Sequence, residues 1–414
     1  VAALVHAAAA AATASAVDQV RRVAIAERDN WRARAAEAGF RFHTIDGAPY
    51  WDESAYYAFT LRQIENDLED PSAELHAMAL DLVGEVVASE ALMAQLAIPE
   101  PFRDWIAESW RRRDPHLYGR LDFAYDGKGP AKLYELNYDT PTSLYEASFF
   151  QWQWLEDQRN RGVLPQQADQ FNSLHETLVE RFAELSARLP PPLYFSAVRE
   201  SEEDQGTVAY LRDCAAQAGL HGAAIAIEDI GLSADGRFTD LDDVVIGSLF
   251  KLYPLEDLMQ EEFGAALPRS GVQLLEPAWK AVLSNKGILP LLWERHRGHP
   301  NLLESYFDDG SALPAGWVRK PLHSREGANV AMHMSDGSWQ ESEGPYAGPN
   351  IRQAFHALPM FEGNYPLVGS WVVGDRACGI GVREDNSRIT RDSARFLPHA
   401  IIDDAPQGST RIYV

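Results

Sequence analysis

Five polar residues on two short β-type runs carry the spacing best suited to chemistry. In Tyr118-Gly119-Arg120-Leu121-Asp122-Phe123, Arg120 and Asp122 are two apart, so on a strand they share a face. In Tyr134-Glu135-Leu136-Asn137-Tyr138-Asp139, Glu135, Asn137 and Asp139 do the same. The stretch between them, Asp126-Gly127-Lys128-Gly129-Pro130, predicts a hairpin turn. With the turn centred near Lys128 and Gly129, Asp122 falls opposite Glu135 and Arg120 opposite Asn137. Directly opposed residues lie about 4.5–5.5 Å apart at Cβ, and two opposed carboxylates repel unless a cation lies between them. Two carboxylates and an amide carbonyl are oxygen ligands of the kind Mg²⁺ takes before completing its octahedron with water and nucleotide phosphates. Arg120, beside them, is placed to stabilise charge on a transferring phosphoryl group or an acyl phosphate. The same spacing also describes an exposed, salt-bridged hairpin with Lys128 and Lys132 nearby, and spacing alone does not choose.

The hairpin leads into Asp139-Thr140-Pro141-Thr142-Ser143, a hydroxyl-rich turn before a helix. Its hydroxyls and the helix N-terminus could hold a substrate carboxylate. The structural alternative, an N-cap at Thr142 or Ser143, is the simpler reading of the residues by themselves.

The surrounding elements must position this hairpin. Residues 18–38 read as a charged helix. Apolar residues at helical spacing cover 53–69 and 72–96, with Asp70-Pro71-Ser72 as a break and cap between them. A shorter helix is predicted at 99–114, and others at 143–158 and 167–188. From 193 to 250 strand-like and helical runs alternate, which predicts a small α/β lobe. Helical patterns return at 254–266 and 284–308, and from 316 onward the chain is rich in β-type runs. There is no internal repeat and no flexible linker. The whole reads as an α/β, multi-lobed enzyme in four stretches. These are an Ala-rich leader (1–24, helical or unstructured), a helical region plus the acidic hairpin (25–192), a small α/β lobe (193–275) and a C-terminal lobe (276–414).

The bulk properties agree with a large packed enzyme. The chain has 414 residues, 46% of them hydrophobic and 10% aromatic, with 11 Trp, which supports a sizeable core. A formal charge of −24 repels nucleic acid and anionic membranes, so neither is an expected partner. It attracts cations, including metal ions and polyamines, and it also serves solubility. The two cysteines, Cys214 and Cys378, show no zinc spacing and no disulfide framework, and point to buried free thiols in a reducing, cytoplasmic setting. The Ala-rich start ends in a small-residue pattern like the tail of a signal peptide, but has no basic segment before it. A truncated reading frame or a helical leader fits it better. No other run of about 18 apolar residues exists to span a membrane.

Several ordered motifs then give the chain a recognisable likeness. Tyr118–Phe123 and Tyr134–Ser143 resemble the synthetase domain of glutathionylspermidine synthases and their single-domain relatives. LFKLYPLEDL (249–258), EPAWKAVLSNKGILPLLW (276–293), VRKPLHSREGANV (318–330), IRQAFHALP (351–359) and GIGVREDNS (379–387) follow in order. The likeness covers roughly residues 25–410. It implies a circularly permuted ATP-grasp fold, in which metal and phosphate ligands precede the nucleotide lobe and its lysine. It also implies that 193–275 is the substrate lobe and 276–414 the nucleotide lobe. The amidase domain of bifunctional members has no counterpart in this sequence.

The resemblance also implies roles. Arg120 resembles the arginine that stabilises the transition state, and Asp122, Glu135 and Asn137 resemble magnesium ligands. Thr140 and Thr142 stand where full synthases have serines that contact glutathione. Glu202 and Glu203 resemble an acidic pair that receives the polyamine; they could equally begin the following helix. Lys320 resembles the lysine on the ATP phosphates, and Ser324–Asn329 the loop that closes over them. Gln353-Ala354-Phe355-His356 resembles the hinge against adenine, Arg383 a second phosphate-facing arginine, and Lys286 is a further candidate near the nucleotide. The expected cofactors are ATP and Mg²⁺. The expected substrates are a small acid and an amine, with a polyamine among the candidates. The expected activity is acid–amine ligation through an acyl phosphate. The alternatives are genuine glutathionylspermidine synthesis and a non-catalytic nucleotide-binding regulator with the same fold.

Overall fold

A computed structural model describes residues 19–45 and 47–403 of the chain. The Ala-rich leader, apart from its last residues, lies outside them.

Two five-stranded antiparallel sheets and one four-stranded parallel sheet carry the fold. The first antiparallel sheet contains the predicted hairpin. Tyr118–Ala124 pairs with Lys132–Asn137 on one side and with Tyr365–Val373 on the other; Arg376–Asp385 and Arg395–Leu397 complete it. Strands from both ends of the chain therefore share this sheet, and the division at residue 276 does not separate two sheets. The second sheet runs Ser305–Phe307, Asn350–Ala354, Trp317–Pro321, Ala331–His333 and Trp339–Glu341. The parallel sheet places Gln273–Leu275, Ser248–Leu252, Leu193–Ala197 and Gly222–Ala226 side by side. The helix Glu202–Gln217 joins its last two strands, as a βαβ crossover requires.

The hairpin register agrees with the sequence reading: Arg120 faces Asn137 and Asp122 faces Glu135. One residue further the pairing shifts, Phe123 opposing Leu133. Tyr134 is the extra residue of this bulge, and bulges re-aim side chains beside active sites. The sheet also sets one row across three strand pairs, Gly381–Gly369–Asp122–Glu135.

Several local expectations are corrected. Within the stretch read as one helix from 18 to 38, Arg21–Ala24 is a strand and only Trp31–Glu37 is helical. The strand pairs with Ala55–Phe59, so residues 55–59 are also not helical. All five residues of Ala55–Phe59 are buried, and its other neighbour is His399–Ile401. A continuous apolar run reads the same as a buried helix segment or a buried strand, and pairing partners far along the chain decided it. Asp70-Pro71-Ser72 does not break the helix. The segment Glu65–Glu69 is a π-helical turn leading straight into Asp70–Val87, which accommodates the N–H that Pro71 lacks. Ser72 Oγ donates to the Leu68 carbonyl at 2.6 Å. The region 284–308 holds one helix, Ile288–Arg295, and ends in the strand Ser305–Phe307.

Two buried ion pairs tie the parallel-sheet lobe to the hairpin. Lys251, from the strand Ser248–Leu252, pairs with Asp139 at the hairpin's exit, and Asp139 also accepts from Leu255 N at 2.7 Å. Lys280 pairs with Glu276 and donates to the Tyr118 carbonyl at 2.5 Å. Among the described residues no helix is long and apolar enough to cross a membrane.

Candidate active site

The cleft between the two antiparallel sheets collects most of the residues singled out from the sequence. Asp122, Glu135, Lys286, Lys320, Gln353, Ala354, Phe355 and His356 all line it, with about 780 Å³ of empty space including its open mouth. Period-two alternation explains why. Val318 opposes Gln353, so Val318, Lys320 and Gln353 share the face towards the hairpin, while Arg319 points away to Asp308 at 2.7 Å.

The opposed acids are neutralised without leaving the cleft. Arg120 grips Asp122 through two hydrogen bonds of 2.7 and 3.0 Å and donates to the Thr142 carbonyl at 2.6 Å. Asn137 Nδ2 bridges the pair, donating to Asp122 at 2.9 Å and to Glu135 at 3.3 Å. Lys286 Nζ stands 3.1 Å from Glu135. Of the salt-bridged hairpin weighed above, the Arg120–Asp122 ion pair forms, but it is not exposed: both residues are buried.

These contacts set the protonation states. Burial works against the Glu135 anion, but Lys286 and Lys320 outweigh it and hold the carboxyl at about 2. Burial lowers Lys320 to about 8 against the pull of Glu135. Asp122 is pushed up by burial, with Arg120 opposing and Glu135 assisting. Lys320 donates to Gln353 Oε1 at 2.7 Å and to the Tyr134 carbonyl at 3.1 Å.

The donor set fits Mg²⁺. Asn137 draws one oxygen of each carboxylate towards a single amide, and turning that amide over would present its own oxygen to the same point. Among the described residues no group of three or more His, Cys, Asp or Glu side chains is arranged to hold a metal. A site with two carboxylates instead leaves coordination positions for phosphate oxygens, as Mg²⁺ sites usually do.

Three groups stand elsewhere. Arg383 joins Arg120, Asp122 and Ser143 around a smaller cavity beside the main cleft, and its Nη2 donates to the carbonyls of Arg391 (3.0 Å) and Asp392 (3.2 Å). Thr140 accepts a 2.7 Å hydrogen bond from Arg325 of the Ser324–Asn329 loop, whose other nitrogen pairs with Glu256. The acidic pair is split. Glu202 is exposed, while Glu203 is half-buried and lies close enough to Glu146 and Arg383 to feel both. Ser201 caps this helix by accepting from Asp204 N at 3.2 Å, so the helix-start reading of the acids also holds. Ser143 does not use its side chain as a cap; its Oγ lies 2.8 Å from the Tyr50 hydroxyl.

Other groups at the site were not singled out. Tyr134 is aimed into the cleft by the bulge, where its ring lies under Lys320 Nζ at 5.1 Å and its hydroxyl donates to the His356 carbonyl. Arg325 was within a named loop, but its grip on Thr140 spans 185 positions and leaves no local signal. Both cysteines are free and buried, as expected.

The mixed α/β architecture has a known counterpart in fold. A solved glutathione synthetase-like effector from Globodera pallida superposes with a TM-score of 0.57 over 91% of this chain and 98% of its own, at 10% identity. The model of the family described as glutathionylspermidine synthase preATP-grasp matches residues 22–402. A Haemophilus influenzae protein named "Putative acid--amine ligase" is 41% identical over 88% of this chain and 95% of its own length. The trypanothione synthetase of Crithidia fasciculata is 27% identical over 77% of this chain, and the bifunctional glutathionylspermidine synthetase/amidase of Escherichia coli 26% over 85%. The match spans 52% and 60% of those two longer proteins. The chain belongs to the glutathionylspermidine synthase preATP-grasp family, and is an enzyme of the ATP-dependent C–N ligase class.

Proposed function

We propose that the chain activates a small carboxylic acid with ATP and transfers the acyl group to an amine, releasing ADP and phosphate. The observation that carries this reading is the convergence of two carboxylates and two lysines from separate elements on one cleft, with Asn137 bridging the carboxylates and Arg120 held against Asp122. The chain order, acidic hairpin first and lysine strand later, supports a permuted ATP-grasp arrangement. In it residues 276–414 hold most of the nucleotide and the lobe at 193–275 presents substrates.

In this reading Lys320 and Lys286 bind phosphate oxygens, and the run from Gln353 to His356 lies along the adenine. The amides of Ala354 and Phe355 already donate to the Glu304 and Gly316 carbonyls at 2.7 Å, so base recognition falls to the remaining backbone groups of that run. Asp122, Glu135 and Asn137 hold Mg²⁺, which supplies charge neutralisation for the transferring phosphoryl group. Arg120 and Arg383 neutralise its oxygens from the other side. Thr140 and Thr142 orient the acid, and Glu203, with Glu202 at the mouth, receives the amine. The loop carrying Arg325 excludes water, which would otherwise hydrolyse the acyl phosphate.

ADP release across a panel of acids and amines tests this, beginning with glutathione and spermidine and continuing with glutamate-like acids and diamines. ADP formation that needs Mg²⁺ and both organic substrates is expected. Measurable ATP binding with no ADP from any pair would favour the nucleotide-binding regulator instead. Turnover with glutathione and spermidine alone would identify a glutathionylspermidine synthase.

A further inference from the structure

Glu146 is a fully buried carboxyl that none of the roles above uses. It is the first residue of the π-helical turn Glu146–Phe150, a rare irregularity that recurs at functional sites. Among the described residues, neither oxygen has a donor at full hydrogen-bond geometry. The Tyr50 hydroxyl and the Glu146 amide are near enough only to favour its charged form. A buried carboxyl left in this state is costly, so the position is one where a role other than stability has to offset the cost.

Its surroundings are those of the reacting centre. Arg120 and Arg383 both act on it, and both line the small cavity beside the metal hairpin. Tyr50, bonded to Ser143 at the wall of that cavity, is its neighbour. From the helix Glu202–Gln217, Glu203 faces it, and Glu203 in turn feels Asp204 and Asp392. Two acids from different elements thus meet beside the two arginines proposed to neutralise the phosphoryl oxygens.

We propose that Glu146 is the proton acceptor for the amine substrate, with Glu203 as the second carboxylate that binds the incoming ammonium. The proposal rests on the acid–amine ligase reading and deepens it. A primary ammonium has a pKa near that of lysine, about 10.4, so it must lose a proton before its nitrogen can attack. In the step, Glu146 takes one proton from R–NH₃⁺. The freed lone pair forms the C–N bond to the acyl carbon and the C–O bond to phosphate breaks. The second proton leaves with the phosphate. Burial, opposed mainly by Tyr50 and the arginines, raises Glu146 to about 7, and burial with Glu146 raises Glu203 to about 8. A base poised near the working pH is the most effective kind.

The experiment compares E146Q, an isosteric change, with the wild type, using ATP, Mg²⁺ and glutathione or glutamate as the acid. Spermidine and hydroxylamine are the alternative nucleophiles, hydroxylamine being neutral at about pH 7.5 and needing no base. E146Q should lose roughly 100-fold or more in amide formation, far more than it loses in hydroxamate formation. The amide defect should shrink as pH rises and the free amine accumulates, and E146D should recover part of it. Equal losses with both nucleophiles, or no loss with spermidine, would overturn the proposal. Absence of hydroxamate in the wild type would instead count against the ligase reading. Calorimetry of spermidine binding in buffers of different ionisation enthalpy needs no acid substrate. At about pH 6.5, where most of Glu146 still carries its proton, the wild type should release a substantially larger fraction of a proton on binding than E146Q. No spermidine binding, or the same proton count in both, removes the assignment.

Discussion

Lys286 and Glu135 form a cross-lobe ion pair at 3.1 Å, joining the hairpin to the segment that precedes the lysine strand. With the charge of Lys320 also acting on it, Glu135 is an acid whose ionised form the fold favours strongly. The native carboxyl titrates at about 2, below the unfolded value of about 4.3. The sign follows from proton counts: between those values the unfolded chain binds the proton and the native chain does not, so stability falls as pH drops. Its contribution is fully present above about pH 4.5 and is lost towards pH 2. Denaturant melts at stepped pH should show a steeper acid loss for the wild type than for E135Q. Parallel curves would mean that the pair does not form in solution.

Lys320 moves the other way. Burial lowers it to about 8, so in the free enzyme its charge fades above that pH. Bound phosphates would restore the charge. ATP binding at about pH 8.5 should therefore take up protons, and affinity should weaken as pH rises further. Calorimetry in two buffers checks this. K320M should bind ATP at least tenfold more weakly and should lose most of the proton uptake; retained uptake would place the titrating group elsewhere.

Gly369 lies directly beside Asp122 in the sheet, and a Cβ there would sit 2.7 Å from Arg120 Cδ. Overpacking of this kind costs roughly 1–3 kcal/mol. G369A should fold, melt lower and displace the Arg120 side chain, with ADP release falling by at least tenfold. Wild-type turnover in a folded G369A enzyme would show that the position of Arg120 is not critical.

The Lys251–Asp139 pair is fully buried, and breaking such a pair from one side leaves an uncompensated charge. K251M should lose about 3–5 kcal/mol. K251M combined with D139N should be less destabilised than K251M alone, since Asn still accepts from Leu255 N. Urea denaturation of both measures the difference, and equal losses would contradict the assignment of the cost to Asp139.

What the sequence determined by itself was local and periodic. Side chains two apart on a strand share a face, and a Gly-rich turn sets which residues oppose, so Asp122 against Glu135 was legible before any coordinates. The same period put Lys320 and Arg319 on opposite faces. Legibility ended where partners are distant. Arg21–Ala24 and Ala55–Phe59 read as helix because their spacing allows it, and pairing with each other and with residues 399–401 made them strands. Nothing near Tyr134 announces that a bulge turns it to Lys320. Nothing near Glu146 announces Tyr50, Arg383 and Glu203. Those juxtapositions arise from chain crossings of up to a few hundred residues, where burial and charge pairing, not local propensity, choose the neighbour.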